Sequence, residues 1–527
     1  MNKIMRKTDL HKAVQHAGEI DIMPIDLVEF NSTGRILIIG HAQQISSVIP
    51  HLASLTISAV VTDNEPASDD ENVTWIDDEI KTIEGWMGDF AVQFEQQKLK
   101  VDLVLDLSEQ AIMTTAVLPL GYFAPRNNAQ VLAETLQQLP ALIGTFDKPR
   151  YFNYKASICA HSRRQLSGCE QCLDACPADA ISSTGDTVSV NPSLCQGCGS
   201  CTAVCPSGAM SYALPTLDVS LNRARKMMQT WFEIDTQPPH IVIHDLAQGQ
   251  LLIDNMVERL PANVITFSIE EIGALAMPFW LSVLAYGASG ITVWDAGSHS
   301  DHDWLELQQE IDKTNQLLMG LGYKEQIVNW FSANNFSQLM NHLSSTDKLE
   351  GIQAATFAGV DDKRRMISIA LDHLQNQAPK TIALLALDSN AAFGEIKVDA
   401  QTCTLCHSCV SVCPVGAVLD GVEQPQLNFI EDLCVQCGLC ETACPEDAID
   451  LVPRYLFDRE QARKVRLLHE EPVFNCISCD KPFATKKMID TMTEKLKGHA
   501  MFQGEALERL KMCEDCRVKA MFKNPQG

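Results

Sequence analysis

Short apolar runs separated by amphipathic segments organise the first 150 residues. Arg35-Ile36-Leu37-Ile38-Ile39-Gly40, Ile57-Ser58-Ala59-Val60-Val61 and Val101-Asp102-Leu103-Val104-Leu105-Asp106 lack a polar-out alternation, as strands buried on both faces of a parallel sheet do. Helical stretches lie between them, such as Ala129 to Leu139, which Pro140 closes. Residues 216–395 repeat the alternation. Strands are expected at His240–His244, Val264–Phe267, Ile291–Trp294 and Thr381–Leu387, with helical runs such as Trp304 to Leu321 between them. An open parallel sheet of flavodoxin type fits this order. The stretch from Ile272 to Trp294 carries no charge and is long enough to cross a bilayer. Pro278, Gly287, Ser289 and Gly290 interrupt it, so a buried helix over Glu270 to Tyr286, a glycine turn and a parallel strand explain it better. No second such stretch exists, and no transmembrane segment is expected.

Two regions break this pattern with cysteines. Three runs share one spacing: Cys195-x2-Cys198-x2-Cys201-x3-Cys205-Pro206, Cys403-x2-Cys406-x2-Cys409-x3-Cys413-Pro414 and Cys434-x2-Cys437-x2-Cys440-x3-Cys444-Pro445. A fourth is a variant, Cys159-x9-Cys169-x2-Cys172-x3-Cys176-Pro177, in which Leu166 stands where the regular spacing would put a cysteine. After each Cys-Pro comes a similar tail: Ala178-Asp179-Ala180-Ile181, Ser207-Gly208-Ala209-Met210, Val415-Gly416-Ala417-Val418 and Glu446-Asp447-Ala448-Ile449. A duplicated half therefore builds a module, and the module occurs twice.

This spacing is that of two-cluster iron–sulfur loops, in which three cysteines hold one [4Fe–4S] cluster and the fourth crosses to its neighbour. By that rule the first module divides as Cys159, Cys169, Cys172 and Cys205 against Cys176, Cys195, Cys198 and Cys201. The second divides as Cys403, Cys406, Cys409 and Cys444 against Cys413, Cys434, Cys437 and Cys440. Four [4Fe–4S] clusters are expected. Zinc sites lack the Cys-x3-Cys-Pro crossover. Cys159 is the expected fourth ligand of the variant run, reached by a nine-residue return loop. A three-iron cluster, or an open corner with His161 as a substitute ligand, is the alternative. Arg163 and Arg164 in that loop either raise this cluster's potential or lie on a solvated face.

The C-terminal tail pairs Cys476-x2-Cys479 with Cys513-x2-Cys516 across 33 residues. Paired knuckles make a tetrahedral four-cysteine site, for structural zinc or for a rubredoxin-like iron. Lysines and arginines between Lys481 and Lys519 make this end basic, either as a docking surface or as an ordinary solvated face.

At 527 residues the chain has room for about three to five domains. Its formal charge of −26 argues against nucleic-acid binding and against anionic membranes, and favours redox partners with basic patches. Twenty cysteines behind an N-terminus without an apolar h-region fit reduced thiols in the cytoplasm. No P-loop, H-E-x-x-H or G-x-S-x-G is present. Gly40 ends a strand, but His41-Ala42-Gln43-Gln44 follows in place of G-x-G-x-x-G. His244, His299 and His302 sit near the ends of expected strands, as a switch-point site or as exposed loop residues.

The two modules resemble the 2[4Fe–4S] bacterial-type ferredoxin family and cover about a quarter of the chain. The stretch Val264 to Asn341 is similar to the delta subunit of methyl-viologen-reducing hydrogenase, on Val264–Phe267, Ala285–Ile291 and Leu321-Gly322-Tyr323. That family's fold holds a [2Fe–2S] cluster, which this chain cannot, having no cysteine between Cys205 and Cys403. The whole arrangement resembles large multi-cluster ferredoxin-type proteins that accompany formate dehydrogenases, which implies such an enzyme as a redox partner. The expected organisation is an α/β Rossmann-like domain (1–150), a ferredoxin module (151–215), an α/β flavodoxin-like domain (216–395), a second ferredoxin module (396–455) and a zinc-ribbon-like tail (456–527). The expected role is electron relay, as a carrier or oxidoreductase subunit. A flavin- or nicotinamide-linked subunit and an iron–sulfur sensor or assembly protein are the alternatives.

Overall fold

A computed structural model describes residues 13–19, 25–63, 70–297, 305–346, 352–380, 382–421 and 424–523. The apolar run Arg35–Gly40 lies at the centre of a five-stranded sheet ordered Val73–Trp75, Thr56–Val61, Arg35–Gly40, Leu103–Asp106 and Tyr122–Phe123. Every neighbouring pair in it is parallel. The expected strand Val101–Asp106 is in fact two. Lys98–Val101 closes an antiparallel meander with Ile80–Glu84 and Phe90–Phe94, and only Leu103–Asp106 enters the parallel sheet. The break falls at Asp102, a fully buried carboxylate that accepts from the amides of Thr33 (2.8 Å) and Arg35 (3.0 Å) and pairs with the Arg35 guanidinium.

A second parallel sheet runs Val264–Ile269, His240–Asp245, Gly290–Asp295 and Val328–Ser332. Its core holds Trp231, Trp280 and Tyr286, all fully buried. The charge-free stretch forms a helix, Met277–Ala285, in which every residue is buried. It is shorter than expected because Pro278 sits in its first turn and a separate 3₁₀ turn, Ile272–Ala274, precedes it. Among the described residues no helix is long and apolar enough to cross a membrane. Of the expected strand Thr381–Leu387, Thr381 lies outside the described residues and the rest does not join this sheet. Only Leu384–Ala386 is strand, antiparallel to Ile449–Leu456, and Val328–Ser332 takes the edge position instead.

The two cysteine-rich regions share one plan. In the first, Phe152–Tyr154 pairs with Met210–Tyr212, and Ile181–Ser183 with Val188–Val190. In the second, Gly394–Val398 pairs with Ile449–Leu456, and Val418–Asp420 with Gln426–Phe429. All these pairs are antiparallel. Arg466–Glu470, from the tail, adds a third strand beside Gln426–Phe429. Beyond it come the hairpin Val473–Asn475/Pro482–Thr485 and the helices Lys486–Leu496 and Glu514–Lys523.

Candidate iron–sulfur centres

The cysteine loops owe their shape to backbone that few residues adopt. In each regular run the residues on either side of the second cysteine have positive φ: Gly197 and Gly199, Leu405 and His407, Gln436 and Gly438. Three of these six are not glycine and carry the conformation at some strain. The third residue after each Cys-Pro cysteine is left-handed in all four runs: Asp179, Gly208, Gly416 and Asp447. That turn points an amide back at the sulfur. Ala180 N donates to Cys176 Sγ (3.3 Å), Met210 N to Cys205 Sγ (3.3 Å), Ala417 N to Cys413 Sγ (3.2 Å) and Ala448 N to Cys444 Sγ (3.3 Å). Amide-to-sulfur bonds of this kind set iron–sulfur potentials. The sequence showed the repeated tail but not this purpose.

The thiols lie near enough to influence one another's ionisation, and those influences run chiefly within sets. Cys205 acts on Cys169 and Cys172, and so does Cys159. Cys176 acts on Cys195, Cys198 and Cys201. Cys444 and Cys406 act on Cys403 and Cys409. Cys413 acts on Cys434, Cys437 and Cys440. Each Cys-Pro cysteine thus lies among the thiols of the neighbouring run. Burial is the largest influence on these thiols and, with their like-charged neighbours, pushes Cys169 up to about 11 and Cys172 and Cys409 up to about 12. Such sets resist ionising together unless positive charge enters, which is what iron supplies.

The variant run solves its spacing with a hairpin. Ser162–Arg163 pairs with Leu166–Ser167, and Cys169 N donates to Ala160 O (2.8 Å), bringing Cys159 back beside Cys169. Asp186 holds the turn by accepting from the amides of Arg164 and Gln165, both at 3.2 Å. His161 is already engaged: Nδ1 donates to the Cys169 carbonyl (3.1 Å), and Nε2 accepts from Ser183 Oγ (2.8 Å). It is not poised as a substitute ligand. Arg164 is exposed, and Arg163 reaches back to the Ser157 carbonyl in an exposed hydrogen bond, which fits the solvated-face reading of both.

The four sets follow one another. Cys172 acts on Cys201 within the first region, and Cys409 on Cys440 within the second. Between the regions, Cys169 acts on Cys437. There Gly168 packs on Leu439 so closely that a Cβ would stand 2.8 Å from Leu439 Cγ. Cys406 is the one exposed cysteine of these sixteen.

Two cations, the buried Lys148 and the half-buried Lys487, approach the loops from outside. Lys148 Nζ donates to the carbonyls of Ser193 (2.8 Å) and Cys195 (2.7 Å), and burial pulls its pKa down to about 8 against the opposing pull of Cys195. Lys487 Nζ donates to Ala400 O (2.7 Å) and acts on Cys403. Thr485 Oγ1 donates to Thr404 O (3.2 Å), which seats the tail against the same loop.

In the tail, the sulfurs of Cys476, Cys479, Cys513 and Cys516 all lie within 4.8 Å of one another, with Cys479 and Cys513 at 3.6 Å. Zn–S bonds of about 2.3 Å give a tetrahedron with edges of about 3.8 Å, so the four fit a single ion. Among the described residues no other group of three or more metal-ligating side chains closes so tightly. The other sixteen cysteines are spaced for something larger than one ion. Burial opposes ionisation of Cys476, but amides from Cys513, Ser478 and Cys479 outweigh it and hold the thiol down to about 6. Of the histidines noted in the sequence, His244 is buried within its strand with Nδ1 donating to the Asp245 carbonyl (2.9 Å). His299 and His302 lie outside the described residues.

Known families match the cysteine-rich regions. Family profiles described as 4Fe-4S dicluster domain match residues 167–209 and 402–449. "Ferredoxin 7Fe" of Hydrogenibacillus schlegelii is 45% identical over 49 residues, 9% of this chain and 60% of that protein. "Uncharacterized ferredoxin-like protein YdhY" of Escherichia coli K12 is 33% identical over 55 residues, 10% of this chain and 26% of that protein. The chain therefore spans 60% and 26% of the length of these curated relatives. Among solved structures, a chain of the formate dehydrogenase–heterodisulfide reductase–formylmethanofuran dehydrogenase complex from Methanospirillum hungatei aligns with 17% identity. The alignment covers 63% of this chain and 90% of that one at a TM-score of 0.18, which falls short of a shared fold. The two matched regions are 4Fe–4S dicluster domains, and the chain carries one in each cysteine-rich region.

Proposed function

We propose that this chain relays single electrons through four [4Fe–4S] clusters between redox protein partners. The ligand sets are Cys176, Cys195, Cys198 and Cys201; Cys159, Cys169, Cys172 and Cys205; Cys413, Cys434, Cys437 and Cys440; and Cys403, Cys406, Cys409 and Cys444. The observation that carries this reading is the crossover: each Cys-Pro cysteine keeps company with the neighbouring run's thiols. Each cluster would take up and pass on one electron. The chain's own residues hold the sulfurs, donate amides to them and bury six of the sixteen cysteines.

The tail would hold one zinc as a structural ribbon-like site, since its four sulfurs fit one tetrahedral ion. The parallel sheets support reading residues 1–150 as Rossmann-like and 216–395 as flavodoxin-like, flanking ferredoxin modules at 151–215 and 396–455 with the tail at 456–527. Reduced thiols in these spacings favour a cytoplasmic setting. The partner implied by sequence resemblance is a formate dehydrogenase. Metal analysis of anaerobically purified chain tests the cofactors: about sixteen irons and one zinc support the reading, and about four irons or fewer sink it. Reduction of the chain by formate with a formate dehydrogenase tests the partner. A chain that dithionite reduces and that pair does not would point to a different donor.

A further inference from the structure

The helix Lys363–Gln375 starts between the two dicluster regions, and its first two residues send cations in different directions. Lys363 Nζ donates to the carbonyls of Thr202 (3.1 Å) and Ala203, inside the first region's helix Ser200–Val204, and its charge interacts with Cys205. Arg364 donates to the carbonyls of Ala392 (2.6 Å), Asp432 (3.1 Å) and Cys434 (2.9 Å) in and beside the second region, and its charge interacts with Cys434. Cys205 and Cys434 belong to the two sets that meet at Cys169 and Cys437. One short stretch of the central unit thus places a cationic side chain at each of the two inner sets, and burial pulls the pKa of both down. The outer sets have Lys148 and Lys487, which come from elsewhere in the chain.

We propose that Lys363 and Arg364 act as a pair that raises the reduction potentials of the two inner clusters on either side of the junction between the dicluster regions. The proposal rests on the four-cluster reading above. Reducing a cluster adds one negative charge, and a cation held in a water-poor interior stabilises the reduced state more than the oxidised one. The transfer is balanced: the outer cluster loses the electron that the inner one gains, and no proton need move. Both residues are positioning residues, acting through carbonyls and field without touching the sulfurs.

The test is an EPR-monitored redox titration of the full, anaerobically loaded chain. Lys363→Gln and Arg364→Gln each remove a charge and keep an amide donor. Each should lower one of the four potentials by at least about 59 mV, a tenfold change in a one-electron equilibrium, and a different one in each variant. The double variant should lower both and leave the other two in place. Lys363→Arg and Arg364→Lys keep the charge and alter the donors, and should stay near the parent values. Unchanged potentials in both glutamine variants at full iron content would overturn the proposal. So would charge-keeping variants whose potentials fall by about 59 mV or more, whether or not the glutamine variants load. A parent chain with fewer than four clusters would instead sink the four-cluster reading itself.

Discussion

Replacing Arg454 with methionine should loosen the second dicluster region at Cys434. Arg454 lies on the long strand Ile449–Leu456 and grips the Glu431 carboxylate with two donors, Nε at 2.8 Å and Nη2 at 2.7 Å. Its Nη1 reaches Glu395 at 2.6 Å. The side chains of Arg454, Glu395 and Glu431 are only 16%, 11% and 6% exposed, so water screens them little. Glu431 opens the 3₁₀ turn Glu431–Leu433, and its carbonyl accepts from Cys434 N at 3.0 Å. Breaking a buried ion pair from one side costs about 3–5 kcal/mol, because the partner charge stays behind. Arg466 remains 2.8 Å from Glu395 and 3.5 Å from Glu431 and compensates in part. That argues for the lower end, about 3 kcal/mol, or about a hundredfold in the opening equilibrium. The assay is bleaching of the visible iron–sulfur absorbance in denaturant under anaerobic conditions. Arg454→Met should lose its colour at markedly lower denaturant, and Arg454→Lys, which keeps charge without the fork, should fall between. Adding Glu431→Gln to the methionine variant should recover part of the loss. An effect below about 1 kcal/mol, the range of an exposed pair, would refute the reasoning.

Cys159→Ala should cost the first region one cluster corner: iron content falls by about one to four atoms per chain, and the EPR of the other three clusters persists. Full iron retention would show that Cys159 is not a ligand. Asp102→Asn should destabilise the N-terminal unit by about 2–4 kcal/mol near neutral pH, read as a lowered melting temperature. Hydrogen bonds and the Arg35 charge outweigh burial and hold the Asp102 pKa below the ordinary carboxylate range. Its stabilisation is therefore complete above about pH 4 and is lost as pH falls through the lowered folded value, so the variant should show less acid sensitivity than the parent. Removing zinc with a chelator, or Cys516→Ser, should make the tail sensitive to protease while the cluster EPR is unchanged. An unchanged digestion pattern would mean that the tail does not depend on the ion.

The sequence was most legible where chemistry forces spacing. The regular runs Cys195–Cys205, Cys403–Cys413 and Cys434–Cys444 match the dicluster profiles because few residue orders can wrap a cluster. Buried parallel strands such as Arg35–Gly40 and His240–Asp245 were legible because both faces must be apolar. Less local features were hidden. Leu384–Ala386 looks like another parallel strand, but its partner is the distant Ile449–Leu456. Asp102 divides one apolar run between two sheets, because a single buried carboxylate is invisible to periodicity. Lys363 and Arg364 lie in an unremarkable helical segment, and only tertiary structure brings one to Thr202 and the other to Cys434. The spacing predicts a loop where the structure has a hairpin returning Cys159, since Arg164 and Gln165 give no glycine signal for its left-handed turn.

The central claim is that the two dicluster regions form one path joined at Cys169 and Cys437. Pulsed EPR on the fully reduced chain tests it most directly, by counting magnetic couplings between reduced clusters. One path predicts three neighbour couplings, one within each region and one between them, with the middle coupling weakened when Leu439→Trp wedges against Gly168. Two coupled pairs with no interaction between them would contradict it.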